Sequence, residues 1–132
     1  MSDLTKLSLW MSGDCVHVVV ETPRLARVKL AYEPELECFV MSRALMLGLS
    51  FPYDWGFLPS TVGEDGDPLD ALVMHDAPTS PGLVLRCRIA GALLKLGHFL
   101  FALKHANWRR HYFLRHKYRA VVFKYAARHW VG

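Results

Sequence analysis

The sequence predicts a mainly β protein of one domain, arranged as a small barrel or sandwich. Short β-branched or apolar runs recur along residues 15–94, and turn-forming residues separate them. The 132-residue chain is 52% hydrophobic, so it is able to bury a core without disulfides or a structural metal. Its three cysteines form no CxxC pair, which favours a reducing compartment such as the cytoplasm.

Five runs are strand candidates. Cys15–Glu21 is rich in valine, a residue that favours strands. Val28–Tyr32 and Leu36–Met41 lie close enough in the chain to predict a hairpin. The remaining candidates are Leu69–Met74 and the longest run, Leu83–Leu94.

Two segments between these runs are not assigned to strands. Residues 50–68 are rich in Pro, Gly, Asp and aromatic side chains, a composition that predicts a loop. The periodicity of residues 43–49 fits a helical turn and a strand equally well.

The charge pattern divides the chain near Lys95. Residues 1–94 hold 7 basic and 12 acidic residues, whereas residues 95–132 hold 9 basic residues and no acidic one. The net charge of +4 therefore describes neither part. We expect a β-barrel portion over residues 1–94 and a basic, aromatic-rich tail over residues 95–132, where the lack of helix breakers allows a helix.

The densest chemical signal is an acidic turn. Asp65, Asp67 and Asp70 stand within six residues, and Gly66 permits a sharp turn between them. Carboxylates crowded on one side of a turn repel each other, and a hard divalent cation such as Mg²⁺ relieves that repulsion. The alternative is a solvated surface turn, for which Asp-Gly and Asp-Pro pairs are typical.

Residues 18–94 resemble the soluble family I inorganic pyrophosphatases. The blocks that carry the resemblance are Val-Val-Val-Glu-Thr-Pro at 18–23, Lys29, Arg43, Phe-Pro-Tyr-Asp-Trp-Gly-Phe-Leu-Pro-Ser-Thr at 51–61, Glu-Asp-Gly-Asp-Pro-Leu-Asp-Ala-Leu-Val at 64–73 and Pro-Gly-Leu-Val-Leu-Arg-Cys-Arg at 81–88. The resemblance implies a five-stranded, OB-like β-barrel. It also implies Mg²⁺-dependent hydrolysis of inorganic pyrophosphate to two phosphates by a metal-activated water.

The resemblance also implies roles for individual residues. Asp65, Asp67 and Asp70 are the expected Mg²⁺ ligands, and Asp67 is also the expected general base for the attacking water. Glu21 is expected to hold metal-bound waters. Phosphate oxygens are expected to bind to Lys29 and Arg43. Without the resemblance, Glu21 would be interpreted as a solvated charge at a strand end, Lys29 as a surface lysine and Arg43 as an ion-pair partner.

The chain departs from the family in three places. Trp55 stands where the family usually has Tyr, and its indole supplies one N–H donor but no oxygen. Ala31 stands where the family has a Glu. The stretch from Lys95 to His105 contains no acid, whereas the family has two further aspartates there, followed later by a Tyr-Lys pair and a C-terminal helix.

The basic tail has three interpretations. It is the product of a reading-frame shift or recombined gene end, or a basic helix lying on an anionic membrane or partner, or a nucleic-acid-binding segment. The last would bring together phosphate-binding and base-stacking side chains: Arg109, Arg110, Arg115, Lys117 and Arg119 with Trp108, Tyr112 and Tyr118.

The sequence thus favours a cytoplasmic, Mg²⁺-dependent pyrophosphatase, and family members often form hexamers or dimers. The alternative function is a catalytically impaired or inactive pyrophosphatase-like fragment whose basic tail binds nucleic acid or a membrane surface.

Overall fold

The computed structural model describes residues 3–10, 15–63, 66–75, 77–96, 99–104 and 118–124. They form a 3-10 helix, Leu4–Lys6, and the following strands: β1 (Cys15–Thr22), β2 (Val28–Glu33), β3 (Cys38–Ala44), β4 (Asp54–Phe57), β5 (Asp70–Met74), β6 (Val84–Leu96), β7 (Phe99–Lys104) and β8 (Tyr118–Lys124). The mainly β prediction is confirmed. Within the described residues, no helix has the length and apolar character needed to cross a bilayer.

The strand pairings close into a ring. One sheet has the order β1-β4-β5-β8-β6-β7, and β1 also pairs with β6. Five strands, β1, β4, β5, β8 and β6, therefore follow one another around a curled sheet, and β7 extends it along the second half of β6. β2 and β3 form a separate two-stranded sheet, as the predicted hairpin requires. Ring closure leaves fewer open strand edges, which protects the sheet from pairing with other chains.

The valine-rich strand β1 is buried on both faces. Val16, Val18 and Val20 belong to the main core, with partners from the loop after β4 and from β5 and β6. Val19 points the other way and packs with Tyr32 and Phe57 beneath the hairpin. This double burial explains why β1 reads as a continuous apolar run and does not alternate.

β4 contradicts the prediction of a loop over residues 50–68. It lies within that segment and pairs with β1 and β5. The Gly and Asp that made the segment resemble a loop are needed in this strand. A Cβ at Gly56 would lie 2.0 Å from the Val19 carbonyl oxygen, so only glycine allows β1 and β4 to approach this closely.

Asp54 is the polar anchor of the same strand. Its side chain is fully buried, and Oδ1 accepts a 2.7 Å hydrogen bond from the Arg24 backbone N–H. Oδ2 lies 2.5 Å from His75 Nε2. Since His75 Nδ1 accepts from the Ala77 N–H at 3.2 Å, the histidine proton sits on Nε2 and is donated to Asp54. These bonds join the turn after β1, β4 and the end of β5.

The tail does not form a helix where the structure describes it. Residues 99–104 and 118–124 are strands, and β8 pairs with both β5 and β6. The expected boundary between residues 94 and 95 falls inside β6. Tyr118 and Arg119 lie on β8, whereas the other residues named for nucleic-acid binding, Trp108, Arg109, Arg110, Tyr112, Arg115 and Lys117, lie outside the described residues.

We expect Gly56→Ala to lower the free energy of unfolding by more than about 3 kcal/mol, because the new Cβ overlaps the Val19 backbone. Urea unfolding measures the loss. Gly48→Ala is the control, since a Cβ at Gly48 meets nothing within 4 Å and only its positive φ carries a penalty of about 1 kcal/mol. Equal losses in the two variants would contradict the close approach of β1 and β4.

A second prediction tests whether β8 belongs to the barrel. Val121→Pro removes a backbone N–H from a strand that is paired on both edges. We therefore expect the free energy of unfolding of the whole domain to fall by about 3 kcal/mol or more. Ala102→Pro in β7, for which the structure describes one pairing, should cost less. An independent tail would leave the unfolding midpoint unchanged in Val121→Pro.

Candidate active site

A cavity of about 470 Å³ lies next to the β2–β3 hairpin and β4. Its walls come from the 3-10 helix, β1, β2, β4 and the segment that leads into β5. The described residues that line it are Thr5, Glu21, Lys29, Ala31, Tyr32, Glu33, Pro34, Trp55, Phe57, Asp67, Pro68 and Asp70.

The cavity brings together four of the six residues that the sequence nominated. Glu21, Lys29, Asp67 and Asp70 all line it. Arg43 is exposed and lies beside the cavity, not among its lining residues. Asp65 lies outside the described residues.

Glu21 occupies a β-bulge. Val20 pairs with Gly56 and Thr22 pairs with Trp55, so Glu21 is an extra residue without a partner on β4. Bulges re-aim side chains and are frequent beside active sites. Here the Glu21 carboxylate reaches β2, where Oε2 accepts a 2.7 Å hydrogen bond from the Tyr32 N–H.

The electrostatic surroundings of Glu21 are unfavourable for its charge. Burial raises the pKa of Glu21 to about 7, with smaller upward contributions from the charges of Asp70 and Asp67. The Tyr32 N–H and the Lys29 ammonium act in the opposite direction and do not compensate. The carboxylates around this cavity therefore sense each other, and added positive charge would relieve them.

Lys29 and Arg43 form a cross-strand pair at a second bulge. Lys29 pairs with Arg43 and Leu30 pairs with Met41, so Ser42 is the extra residue. Directly opposite residues project from the same face of a two-stranded sheet. The hairpin thus presents two cations on one face, with Lys29 at the cavity and Arg43 exposed next to it.

Hydrogen bonds of the Thr61 side chain hold the segment that carries Asp67 and Asp70. The buried Thr61 hydroxyl donates to the Leu58 carbonyl at 2.6 Å and accepts from the Leu69 N–H at 2.9 Å. At its other end, the Gly63 N–H donates to the Asp67 carbonyl at 2.6 Å. Sequence reasoning missed the positioning role of Thr61, and the only available signal was its place within the Phe-Pro-…-Ser-Thr block.

The side chains around the cavity fit a hard divalent cation. Glu21, Glu33, Asp67 and Asp70 supply oxygen donors, and Lys29 is the one cation among the described lining residues. No three His, Cys, Asp or Glu side chains in the described part of the chain form a ready-made metal cluster. An ion held by a few carboxylates and several waters, as Mg²⁺ usually is, matches such an open donor set.

Comparison with known proteins defines first the fold and then the family. The structure matches the crystal structure of inorganic pyrophosphatase from Thermus thermophilus with a TM-score of 0.69 and 31% sequence identity, over 92% of this chain and 62% of that one. The pyrophosphatase from Coxiella burnetii matches with a TM-score of 0.63 and 27% identity, over 89% of this chain and 62% of that one. The expectation of an OB-like barrel is confirmed.

The family model for inorganic pyrophosphatase matches residues 18–96. The inorganic pyrophosphatase of Synechocystis sp. is 36% identical over 91 residues, which are 69% of this chain and 54% of that protein. That of Thermus thermophilus is 44% identical over 81 residues, 61% of this chain and 46% of the relative. The chain belongs to the inorganic pyrophosphatase family, and it spans about half the length of these relatives.

The pKa of Glu21 generates a prediction for the metal-free protein. The folded pKa of about 7 lies above the ordinary 4.5, so ionisation disfavours the folded state. Stability should fall as pH rises from about 4.5 to 7, by at most about 3 kcal/mol. Glu21→Gln keeps an acceptor for the Tyr32 N–H and should remove most of this slope.

Urea unfolding in EDTA at several pH values between 5 and 8 measures the slope. Glu35→Gln serves as the matched control, because Glu35 is exposed in the turn between β2 and β3. Parallel pH profiles for the wild type and Glu21→Gln would show that Glu21 carries no such penalty.

Proposed function

We propose that the chain hydrolyses inorganic pyrophosphate to two phosphates and that it requires Mg²⁺. The observation that carries the proposal is the convergence of Glu21, Lys29, Asp67 and Asp70 on one cavity, in a chain of the inorganic pyrophosphatase family.

The acidic segment is the proposed metal site. Asp65, Asp67 and Asp70 would hold Mg²⁺, and Glu21 would accept hydrogen bonds from the waters around the ion. Bound Mg²⁺ supplies positive charge that offsets the phosphate oxygens and promotes ionisation of water. Burial is the main cause of the raised pKa of Glu21, and the charges of Asp70 and Asp67 add to it, so a cation at the cavity would stabilise the ionised carboxylate.

Asp67 is the proposed general base. It is exposed at the cavity wall, so a water next to the substrate reaches its carboxylate. Gly66 adopts a φ of 85° immediately before it, a backbone conformation that favours glycine and turns the chain at this point. The carboxylate accepts the proton that the attacking water loses as its oxygen bonds to phosphorus.

Lys29 and Arg43 are the proposed phosphate-binding pair. Their shared face on the hairpin places an ammonium at the cavity and a guanidinium at its margin. The guanidinium donates two parallel hydrogen bonds to one phosphate, and the ammonium acts as a point charge. Together they hold phosphate oxygens of the substrate while the bond to the bridging oxygen breaks.

The composition of the tail limits the expected rate. Residues 95–132 contain no Asp or Glu, so they add no acidic side chain to the cavity. With a smaller set of acidic ligands, we expect slower turnover than in relatives that have a second acidic cluster. The cytoplasmic location and the homo-oligomer stay predictions, as does the binding of an anionic partner by the basic tail.

Replacing the general base tests the proposal. Asp67→Asn keeps the size of the side chain but cannot accept the proton, so we expect phosphate release from pyrophosphate with Mg²⁺ to fall by about 100-fold or more. Glu35→Gln, which alters a carboxylate of the hairpin turn outside the cavity lining, should keep wild-type activity. Wild-type release no greater than that of Asp67→Asn would overturn the proposed function.

A further inference from the structure

Half of the described cavity lining is apolar or aromatic, although inorganic pyrophosphate has oxygen on its whole outer surface. The six residues are Ala31, Tyr32, Pro34, Trp55, Phe57 and Pro68. Tyr32 and Phe57 are 8% and 3% exposed and pack in the core beneath the hairpin, so their presence is explained by folding. Trp55 and Ala31 are partly exposed, and the folding core does not account for them.

Trp55 is placed next to the acidic residues. It pairs with Leu72 across the β4–β5 ladder, and Phe57, two residues along, pairs with Asp70. Residues two apart on a strand share a face and are separated by about 7 Å. The indole and the Asp70 carboxylate thus line the same face of the ladder. Phe51 packs edge-on against the indole, with ring centroids 6.4 Å apart.

Ala31 contributes only a methyl group to the cavity lining. It lies two residues beyond Lys29 on β2, so both side chains project from the same face of the hairpin. A methyl group there adds neither charge nor bulk to the cavity. The result is a cavity with a cation at one position, a short apolar side chain beside it and an aromatic ring on another wall.

We propose that the cavity takes nucleoside diphosphates as substrates, with the base stacked on Trp55 and the terminal phosphate at Lys29. This inference rests on the proposed hydrolytic function. The volume of about 470 Å³ falls within the range of cavities that bind organic ligands. An aromatic side chain supplies stacking energy to any base, because every base has a π-face.

The reaction is the one proposed for pyrophosphate, with an organic leaving group. Water oxygen bonds to the terminal phosphorus, and the bond from that phosphorus to the bridging oxygen breaks. Its electron pair stays with the nucleoside monophosphate. Asp67 accepts the proton that the water loses and passes it to solvent, so one diphosphate and one water give a nucleoside monophosphate, inorganic phosphate and a proton.

Two ligands that resist hydrolysis separate the phosphate site from the base site. Methylenediphosphonate represents pyrophosphate, and α,β-methylene-ADP adds the nucleoside. Calorimetric titration of the full chain with Mg²⁺ gives both dissociation constants. We expect Trp55→Ala to raise the dissociation constant of α,β-methylene-ADP by about 10-fold and that of methylenediphosphonate by less than about twofold. Tyr53→Ala is the matched control, because Tyr53 is an exposed aromatic two residues away, outside the cavity lining.

A second variant covers the case in which Trp55→Ala does not fold, as judged by circular dichroism. Ala31→Leu fills the space beside Lys29 and should exclude the nucleotide analogue while methylenediphosphonate still binds. The inference would be overturned if Trp55→Ala weakened the binding of both ligands equally. It would also be overturned if the wild type bound methylenediphosphonate but not α,β-methylene-ADP. Pyrophosphate hydrolysis by the same wild-type sample separates the two failures: its absence overturns the proposed function and this inference with it.

Discussion

The strand Cys15–Thr22 is paired on both edges and packed on both faces, and the rest of the molecule is arranged around it. Its edges bind β4 and β6, which makes it the strand where the ring closes. Its two faces supply valines to the main core and to the smaller core beneath the hairpin. A strand held in this way has one available register, since a shift by one residue would exchange its two buried faces.

That rigidity allows the cavity to hold mutually repelling charges. Glu21 leaves the register through a bulge at the end of β1, where the ladder on either side fixes the backbone. The carboxylate is drawn into the cavity despite the burial that raises its pKa to about 7. A less constrained strand end would turn this side chain to solvent. We infer that the well-packed core sustains an electrostatic arrangement that is unfavourable without a cation, as functional sites often require.

The parts of the fold that were predictable follow simple periodic patterns. The valine run predicted β1, and the spacing of two short runs predicted the hairpin of β2 and β3. β4 was missed because Gly56 and Asp54 serve long-range demands, a backbone approach to Val19 and a bond to His75, which a local pattern does not reveal. The strands β7 and β8 in the tail were not predicted, because the absence of helix breakers permits a helix without requiring one and leaves a strand equally open.

The candidate site shows the same division. The acidic block stood out by its residue types and their spacing, whereas Lys29 was nominated only by the resemblance to the family. The position of Arg43 beside the cavity depends on the bulge at Ser42, and the anchoring of the acidic segment depends on the burial of Thr61. Neither follows from the local sequence, since both arise when distant segments pack.

The tail also bears on the site, despite its different composition. β5 begins at Asp70 and is paired by β4 on one edge and by β8 on the other. Ala71, the residue after Asp70, pairs with Val122 of β8. A strand that carries a proposed metal ligand is therefore held in place by a segment that itself has no carboxylate. All acidic side chains, and with them the proposed metal ligands, precede Lys95. The backbone pairing that holds those ligands in place nevertheless includes β8, which lies after Lys95.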